Sequence, residues 1–417
     1  MATRGEVKEV IDSWKEWLDA SLKESLPRDL DVQLPKKAAL ALIGVRRCGK
    51  SYEAVNLIRP HAESTFCMNF EDPFFIQNNK VSIFDELLSV FTEFSQKMPQ
   101  FLFFDEIHNI EGWERWVRKV VDQKKFQIVL TGSSAKMLSS ELATSLTGRS
   151  FSQTIWPLSF REYLRFKNLF CRQNDEYLGA LRSYLHWGGF PEVAQLSEDT
   201  QKIERLRQYL TDILYKDVMK RHEIRSARAL EQMTRFYLTN VSCLHSYNSI
   251  RKAFGINAET AADYTRFLQE AFLLFEVSRF HPNLKVQSRD PKKIYAVDTG
   301  LRNANASSPQ EDLGKLAENA VYLHLRRKGC DVSYFKEEGE VDFVVTQFGK
   351  PHEALQVSYD DLQEKTTWER EVYSLLECLK ALKLPEGILL TLKREESLTI
   401  EKKRIRMIPL FQWLLQN

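Results

Sequence analysis

Hydrophobic and polar positions fall into blocks along this chain, and the blocks change character near residues 160, 240 and 310. From 37 to about 160, short apolar runs recur between stretches with helical spacing, which predicts strands over 38–43, 65–70, 100–104, 126–131 and 151–156. The first of these, "AALALI", and the third, "FLFF", do not alternate with polar residues. Strands of that kind are buried on both faces, as in a parallel sheet flanked by helices. The expected fold class is therefore α/β with a doubly wound parallel core. Ahead of it, residues 6–25 read as an amphipathic helix ended near Pro27. From about 160 to 240 nearly everything has helical spacing. A small mixed segment follows to about 300, and 311–417 alternates helix and strand. This gives five expected segments: an extension at 1–36, the α/β core at 37–165, a helical part at 166–235, a mixed domain at 236–305 and a second α/β domain at 306–417.

Composition narrows the picture only slightly. With 417 residues and a net charge of +2, the chain is long enough for several cores and has no global basic excess pointing to a nucleic acid or a membrane surface. Its six cysteines, among them the isolated Cys67 and Cys171, form no C-x-x-C pair, so neither a zinc site nor a disulfide scaffold is expected. The start lacks an apolar signal region, and no apolar run approaches the length of a membrane span. A soluble, cytoplasmic protein without membrane contact is the expectation.

The chemistry begins at "LIGVRRCGKSYEA". Gly44 and Gly49 bracket Val45, Arg46, Arg47 and Cys48, and Lys50 and Ser51 follow, with Tyr52 next in the helix. A strand, a G-x-x-x-x-G-K-S loop and a helix are the context in which this string becomes a phosphate-binding loop. Glycines allow the tight turn, backbone N–H groups form an anion nest at a helix N-terminus, and Lys50 reaches the β- and γ-phosphates while Ser51 holds Mg²⁺. One of Arg46 and Arg47 is expected to touch phosphate, and Cys48 to serve as a small packing residue. A second strand, "FLFFDE", ends in two adjacent carboxylates, which burial makes costly unless they are paired or bind metal. Asp105 is expected to take the Mg²⁺ through water, and Glu106 to polarise the water that attacks the γ-phosphate. ATP and Mg²⁺ are the expected ligands; no N-K-x-D motif for reading guanine follows.

"CMNFEDP", "FLFFDEIHNIEGWERWVRKV", "IVLTGSSAKML", "LATSLTGRSF" and "PLSFREYL" occur in this order. Together they resemble the archaeal- and bacterial-type AAA-like P-loop ATPases with a C-terminal region of unassigned function. The resemblance covers nearly the whole chain and implies an ATP-hydrolysing AAA+ core with a helical lid. It implies a polar sensor at Thr131, Ser133 or Ser134, for which the alternative is a small-residue turn with Ser134 as helix cap. It also implies an arginine finger at Arg149 acting on a neighbouring subunit's ATP, hence a homo-oligomer; a solvated surface arginine or a monomer with a cis lid is the rival. "WGGFPEV" (187–193) resembles the lid motif whose proline, here Pro191, packs on adenine, although any helix break needs such residues.

Two appended modules complete the reading. "SYNSIRKAFGINAETAADYTRFLQEAFLLFEVSRF" has winged-helix patterning, but its second helix offers Arg266 against Glu259, Asp263 and Glu270, which favours packing or sensing over reading DNA. A helix with Glu318, then two strands, "VSYFKEEGEVDFVVTQ" with Asp342 and "HEALQVSYD", resembles the PD-(D/E)xK nuclease fold. Gln356 and Ser358 stand where an acid and a lysine belong, so lost cleavage is expected. The leading expectation is a Mg²⁺-dependent ATPase whose nucleotide state switches its conformation and acts on a protein or nucleic-acid partner. An ATP-dependent DNA-processing factor and a poorly hydrolysing signalling scaffold are the alternatives.

Overall fold

In a computed structural model the chain divides into two compact units, 1–155 with 270–272, and 156–269 with 273–417. The structure describes residues 3–30, 32–133, 148–224, 227–307 and 312–416.

The first unit is a five-stranded parallel sheet in the order β2-β3-β4-β1-β5. Its strands are β1 (Ala39–Ile43), β2 (Thr65–Asn69), β3 (Phe101–Asp105), β4 (Gln127–Gly132) and β5 (Ser150–Thr154), each within two residues of its expected start and end. β1 and β3 are buried along their whole length, as their unbroken apolar runs require. β5 is the partly exposed edge, which suits its polar sequence "SFSQT". Among the described residues, α2 (Lys50–Ile58), α3 (Ile83–Ser95) and α4 (Trp113–Gln123) lie between these strands. Ahead of them, α1 (Arg4–Glu24) begins in a capping box formed by Thr3 and Glu6. The N-terminal segment does not stand apart: Val7, Val10 and Ile11 of α1 join the same core as Phe66, Phe104 and Trp116. Trp14 also donates its indole N–H to Asp72 at 3.0 Å.

The second unit opens with helices Phe160–Phe166, Asn174–Trp187, Pro191–Gln195 and Asp199–Asp212, the last running through a π-helical stretch at Ile213–Met219. After helix Ala227–Thr239 comes an antiparallel three-stranded sheet, β6 (Leu244–His245), β8 (Lys292–Ala296) and β7 (Leu274–Val277), in that spatial order. Helices Tyr247–Phe254 and Ala258–Glu270 lie between β6 and β7 in sequence, with Gly255 turning the chain between them as expected. A six-stranded mixed sheet closes the chain, in the order β13-β14-β12-β11-β10-β9. Its strands are β9 (Asp331–Lys336), β10 (Glu340–Gln347), β11 (Lys350–Val357), β12 (Glu386–Thr391), β13 (Glu396–Ile400) and β14 (Lys403–Pro409). One expectation is corrected here: "VSYFKEEGEVDFVVTQ" is a hairpin of β9 and β10 rather than one strand, because Glu337-Glu338-Gly339 turns the chain back. Helix Lys365–Ala381 packs its Val372, Leu375 and Leu379 against Val344, Leu389 and Ile405 of this sheet.

The "WGGFP" and "DTGLRN" stretches lock together inside the second unit. Asp298 caps helix Thr299–Asn305 by accepting from Leu301 N, and it also accepts from Gly189 N at 2.6 Å. Asn303 donates to the carbonyl of His186 at 2.8 Å. A Cβ on Gly300 would lie 1.9 Å from the carbonyl oxygen of Trp187, so no side chain fits there. Gly300→Ala is therefore expected to destabilise the second unit by at least ~1–3 kcal/mol, the range for overpacking. Gly179→Ala, at a helical site with nothing within 4 Å of the added carbon, should be neutral or slightly stabilising. Urea unfolding followed by fluorescence of the second unit's tryptophans checks both.

Candidate functional site

Parallel strands leave a crevice beyond their carboxyl ends, and the order β3-β4-β1 brings three such ends side by side. Asp105 ends β3, Thr131 lies near the end of β4, and the loop 44–49 leaves β1. Gly44 has φ +148°, and a Cβ there would meet the Ile155 carbonyl at 2.2 Å. Gly49, at φ +99°, turns the loop into the N-terminus of α2. Arg47 shares the left-handed region at φ +70°. Successive turns of this kind point backbone amides inward and make an anion nest. Val45 and Cys48 are buried beneath the loop, and the Cys48 thiol lies 3.1 Å from the Ile155 carbonyl. Burial pushes that thiol's pKa up, so Cys48 is a packing residue. Lys50 Nζ folds back onto the Gly44 and Val45 carbonyls at 3.2 Å each, inside the cradle a phosphate would fill. Arg28 donates to the Cys48 carbonyl at 3.2 Å.

Ser51 and Asp105 meet. The Ser51 hydroxyl stands 2.9 Å from both carboxylate oxygens. Thr131 Oγ1 also donates to Asp105, and Asn69 Nδ2 does so at 3.0 Å. Burial, and then the neighbouring charge of Glu106, nevertheless push the Asp105 carboxyl up to about 6. A buried carboxylate short of positive charge, beside a hydroxyl, is a hard-oxygen donor set of the kind that suits Mg²⁺. Ser51 and Asp105 are the residues that would hold it.

Glu106 follows with φ +50°, a left-handed backbone that turns its side chain away from the strand direction. Its amide donates to Thr131 Oγ1 at 3.0 Å, and its carbonyl accepts from the Asn109 side chain at 3.2 Å. Oε1 lies 4.0 Å from Lys50 Nζ, and Oε2 lies 3.3 Å from His108 Nδ1. Ser133 is buried at the end of β4, whereas Ser134 lies outside the described residues. Arg46 pairs with Glu71 at 2.8 Å, Arg47 is exposed, and Tyr52 stands edge-on to Trp17 at 6.3 Å. Arg149 pairs with Asp122 of α4. Its carbonyl accepts from Ala39 N, which places it at the start of β1, about 16 Å of strand from the loop. Pro191 opens the short helix Pro191–Gln195 in the second unit.

The structure also gathers Glu318, Asp342 and Gln356, around a residue that motif reading passed over. Lys293 Nζ, almost wholly buried, lies 3.0 Å from Glu318, 3.0 Å from Glu340 and 2.9 Å from Asp342. Tyr295 donates to Glu318 at 2.6 Å. Gln356 turns aside, accepting from Asp342 N and donating to Glu371 at 2.6 Å. Burial works against the Lys293 charge, but Asp342, Glu318 and Glu340 outweigh it and hold the ammonium well above its usual range. Burial, then Asp342, push the Glu318 carboxyl up to about 8. Among the described residues no group of three or more His, Cys, Asp or Glu is arranged to hold a metal ion. In this cluster a lysine takes the central place. Asn69 and His108 lie inside the stretches "CMNFEDP" and "FLFFDEIHNIEGWERWVRKV" without a role assigned to them there, and Lys293 is marked only as a lysine before "IYAVD".

An AAA domain family matches residues 36–164, and a domain of unknown function, DUF8612, matches residues 178–312. An uncharacterized protein of Methanocaldococcus jannaschii, MJ1544, is 33% identical over 93% of this chain and 90% of its own length. An uncharacterized protein of Haemophilus influenzae is 30% identical over 89% of this chain and 93% of its own length. Among solved structures, AMPPCP-bound DnaA from Aquifex aeolicus is 15% identical, with a TM-score of 0.26 over 61% of this chain and 86% of that one. Among the described residues no helix is long and apolar enough to cross a membrane.

Removing the lysine from the second cluster would leave three carboxylates facing one another. Lys293→Met should destabilise the second unit by ~3–5 kcal/mol at pH 8, the penalty for uncompensated buried charge, and by less at pH 5, where protonation relieves the repulsion. Thermal unfolding at the two pH values measures the difference.

Proposed function

The chain belongs to the AAA-domain family that includes MJ1544 of Methanocaldococcus jannaschii, and from that premise we propose a Mg²⁺-dependent ATPase whose nucleotide state switches its conformation. An AAA domain supports nucleotide binding and hydrolysis in general. The observation that carries the finer reading is the Ser51 hydroxyl at 2.9 Å from Asp105, with the Glu106 carboxylate beside it. Glu106 Oε2 accepts no hydrogen bond among the described residues, and Oε1 stands on the Lys50 side, so the carboxylate keeps lone pairs for a water.

In this reading the loop amides and Lys50 bind the β- and γ-phosphates, Lys50 exchanging its two loop carbonyls for phosphate oxygens. When bound, Mg²⁺ neutralises charge on the phosphates. Glu106 accepts a proton from water as the water oxygen bonds to the γ-phosphorus and the bond to the β–γ bridging oxygen breaks. Thr131 fixes Asp105 and the Glu106 amide together, and acts as the polar sensor with Ser133. Arg149 lies too far along its own sheet to reach its own loop, so its role is assigned in trans, on the ATP of a second copy.

A protein client is preferred to DNA. In this reading the three-stranded sheet and its two helices serve as a winged helix, but Arg266 on the second helix is held by Asp263 at 3.1 Å, which leaves that face neutral to acidic. If the helix of Glu318 and the strands of Asp342 and Gln356 descend from a nuclease-like site, the Lys293 ammonium takes up the carboxylates that cleavage would need for a metal. DNA binding remains the second reading, tested by its salt dependence.

Steady-state hydrolysis of ATP and GTP, with and without duplex DNA, is the deciding measurement. ATP should be the preferred substrate, and DNA should leave the rate unchanged. Glu106→Gln should retain ATP while kcat falls by about 10²–10⁴-fold, and Lys50→Ala should weaken ATP binding by at least about tenfold. Calorimetry that detects no nucleotide uptake by the wild type in Mg²⁺ would overturn the assignment.

A further inference from the structure

Glu106 is held at its backbone by three bonds, but a base must also be fixed at its carboxylate. On the described residues the carboxylate meets two charged or ionisable groups: Lys50 Nζ at 4.0 Å from Oε1, and His108 Nδ1 at 3.3 Å from Oε2. Lys50 is committed to phosphate in the working site. His108 is the group left to hold the other oxygen.

The turn that carries His108 is rigid. It forms a single 3-10 turn, Ile107–Asn109, closed by Asn109 N and Asn109 Nδ2 on the Glu106 carbonyl, both at 3.2 Å, and by Ile110 N on the Ile107 carbonyl at 3.1 Å. Ile107 and Ile110 flank it and are buried in the main core at 0% and 1% exposure. Between these two anchors His108 has little freedom to leave Glu106. Its side chain is 19% exposed and that of Glu106 9%, so the contact sits just under the surface, where water competes weakly for the carboxylate.

We propose that His108 is a positioning residue for the base: its Nδ1–H restrains Glu106 Oε2, and thereby directs Oε1 to the water that attacks the γ-phosphate. This inference rests on the ATPase reading above and adds a residue to it. The 3.3 Å contact is close enough for a hydrogen bond but is not aligned as one, and a small rotation of the imidazole or the carboxylate turns it into a charge-assisted bond. The imidazole itself touches neither phosphate nor water. Its effect should therefore fall on turnover and not on binding.

The test compares wild type, Glu106→Gln, His108→Ala and His108→Asn, whose side-chain amide can occupy the place of Nδ1. His108→Ala should lower kcat by about ten- to a hundredfold, as for a catalytic group displaced by about 1 Å, with KM and the calorimetric Kd for ATP changed by less than about twofold. His108→Asn should recover most of the lost kcat. In a Glu106→Gln background, His108→Ala should cost nothing further, since the group it positions is gone. Wild-type turnover in His108→Ala, or a loss that His108→Asn does not recover, overturns the proposal while leaving the ATPase reading intact. A wild type that does not hydrolyse ATP, or that Glu106→Gln does not slow, defeats that reading instead, and the role of His108 falls with it.

Discussion

The carboxylate of Asp105, sunk at the end of β3, is the constraint around which the first unit is arranged. An ionised group in that position is unstable by itself, and three elements contribute to making it tolerable. Ser51 comes from the start of α2, Asn69 from the end of β2 and Thr131 from near the end of β4, each donating to it. The strand order supplies them. β2 and β4 are the neighbours of β3, and the β2–β3 register sets Asn69 directly opposite Asp105. The hydrogen bonds lower its pKa without cancelling the effect of burial, so the site is left wanting positive charge. That residual demand is what a divalent ion and a lysine can meet together.

The second unit faces the same electrostatic problem and meets it internally. Glu318, Glu340 and Asp342 each lie within 3.0 Å of Lys293 Nζ, so β8 supplies their cation from within the chain. The two clusters thus differ in where their compensating charge comes from, and that difference separates a site able to exchange ligands from one that is permanently filled. Lys293, near the start of β8, also ties the three-stranded sheet to β10 of the C-terminal sheet through Glu340 and Asp342, and to the helix that precedes that sheet through Glu318.

Much of this was readable in the chain. Unbroken apolar runs located the strands of the first unit because strands covered on both faces admit few polar residues, and the glycine spacing located the loop because few other backbones turn so tightly. The hairpin at 337–339 was missed because apolar content on both sides of the acidic turn looks continuous when only composition is weighed. Lys293 was missed for a different reason: a lysine in sequence is ordinarily solvated, and only the fold shows that three acids distant in sequence surround it. His108 and Asn69 lie within the stretches that carry the resemblance, but their roles depend on where neighbouring strands end. The glycine pair at 188–189 is read from sequence as part of a lid motif or a helix break; the structure adds a packing reason, the Asp298 carboxylate against Gly188 and the Leu158 backbone against Gly189.

That crowding bears on how the second unit can be divided. Asp298 is bound to an amide 109 positions earlier in the chain, and Asn303 reaches a carbonyl 117 positions earlier. A fragment ending at residue 235 would keep the tight bend after Trp187 while losing the acid that neutralises its amides. One beginning at 236 would keep the acid and its bond from Leu301 but lose the Gly189 amide. The helical part and the part that follows it are thus halves of a single clasp, and the shortest piece that could be handled separately must span both.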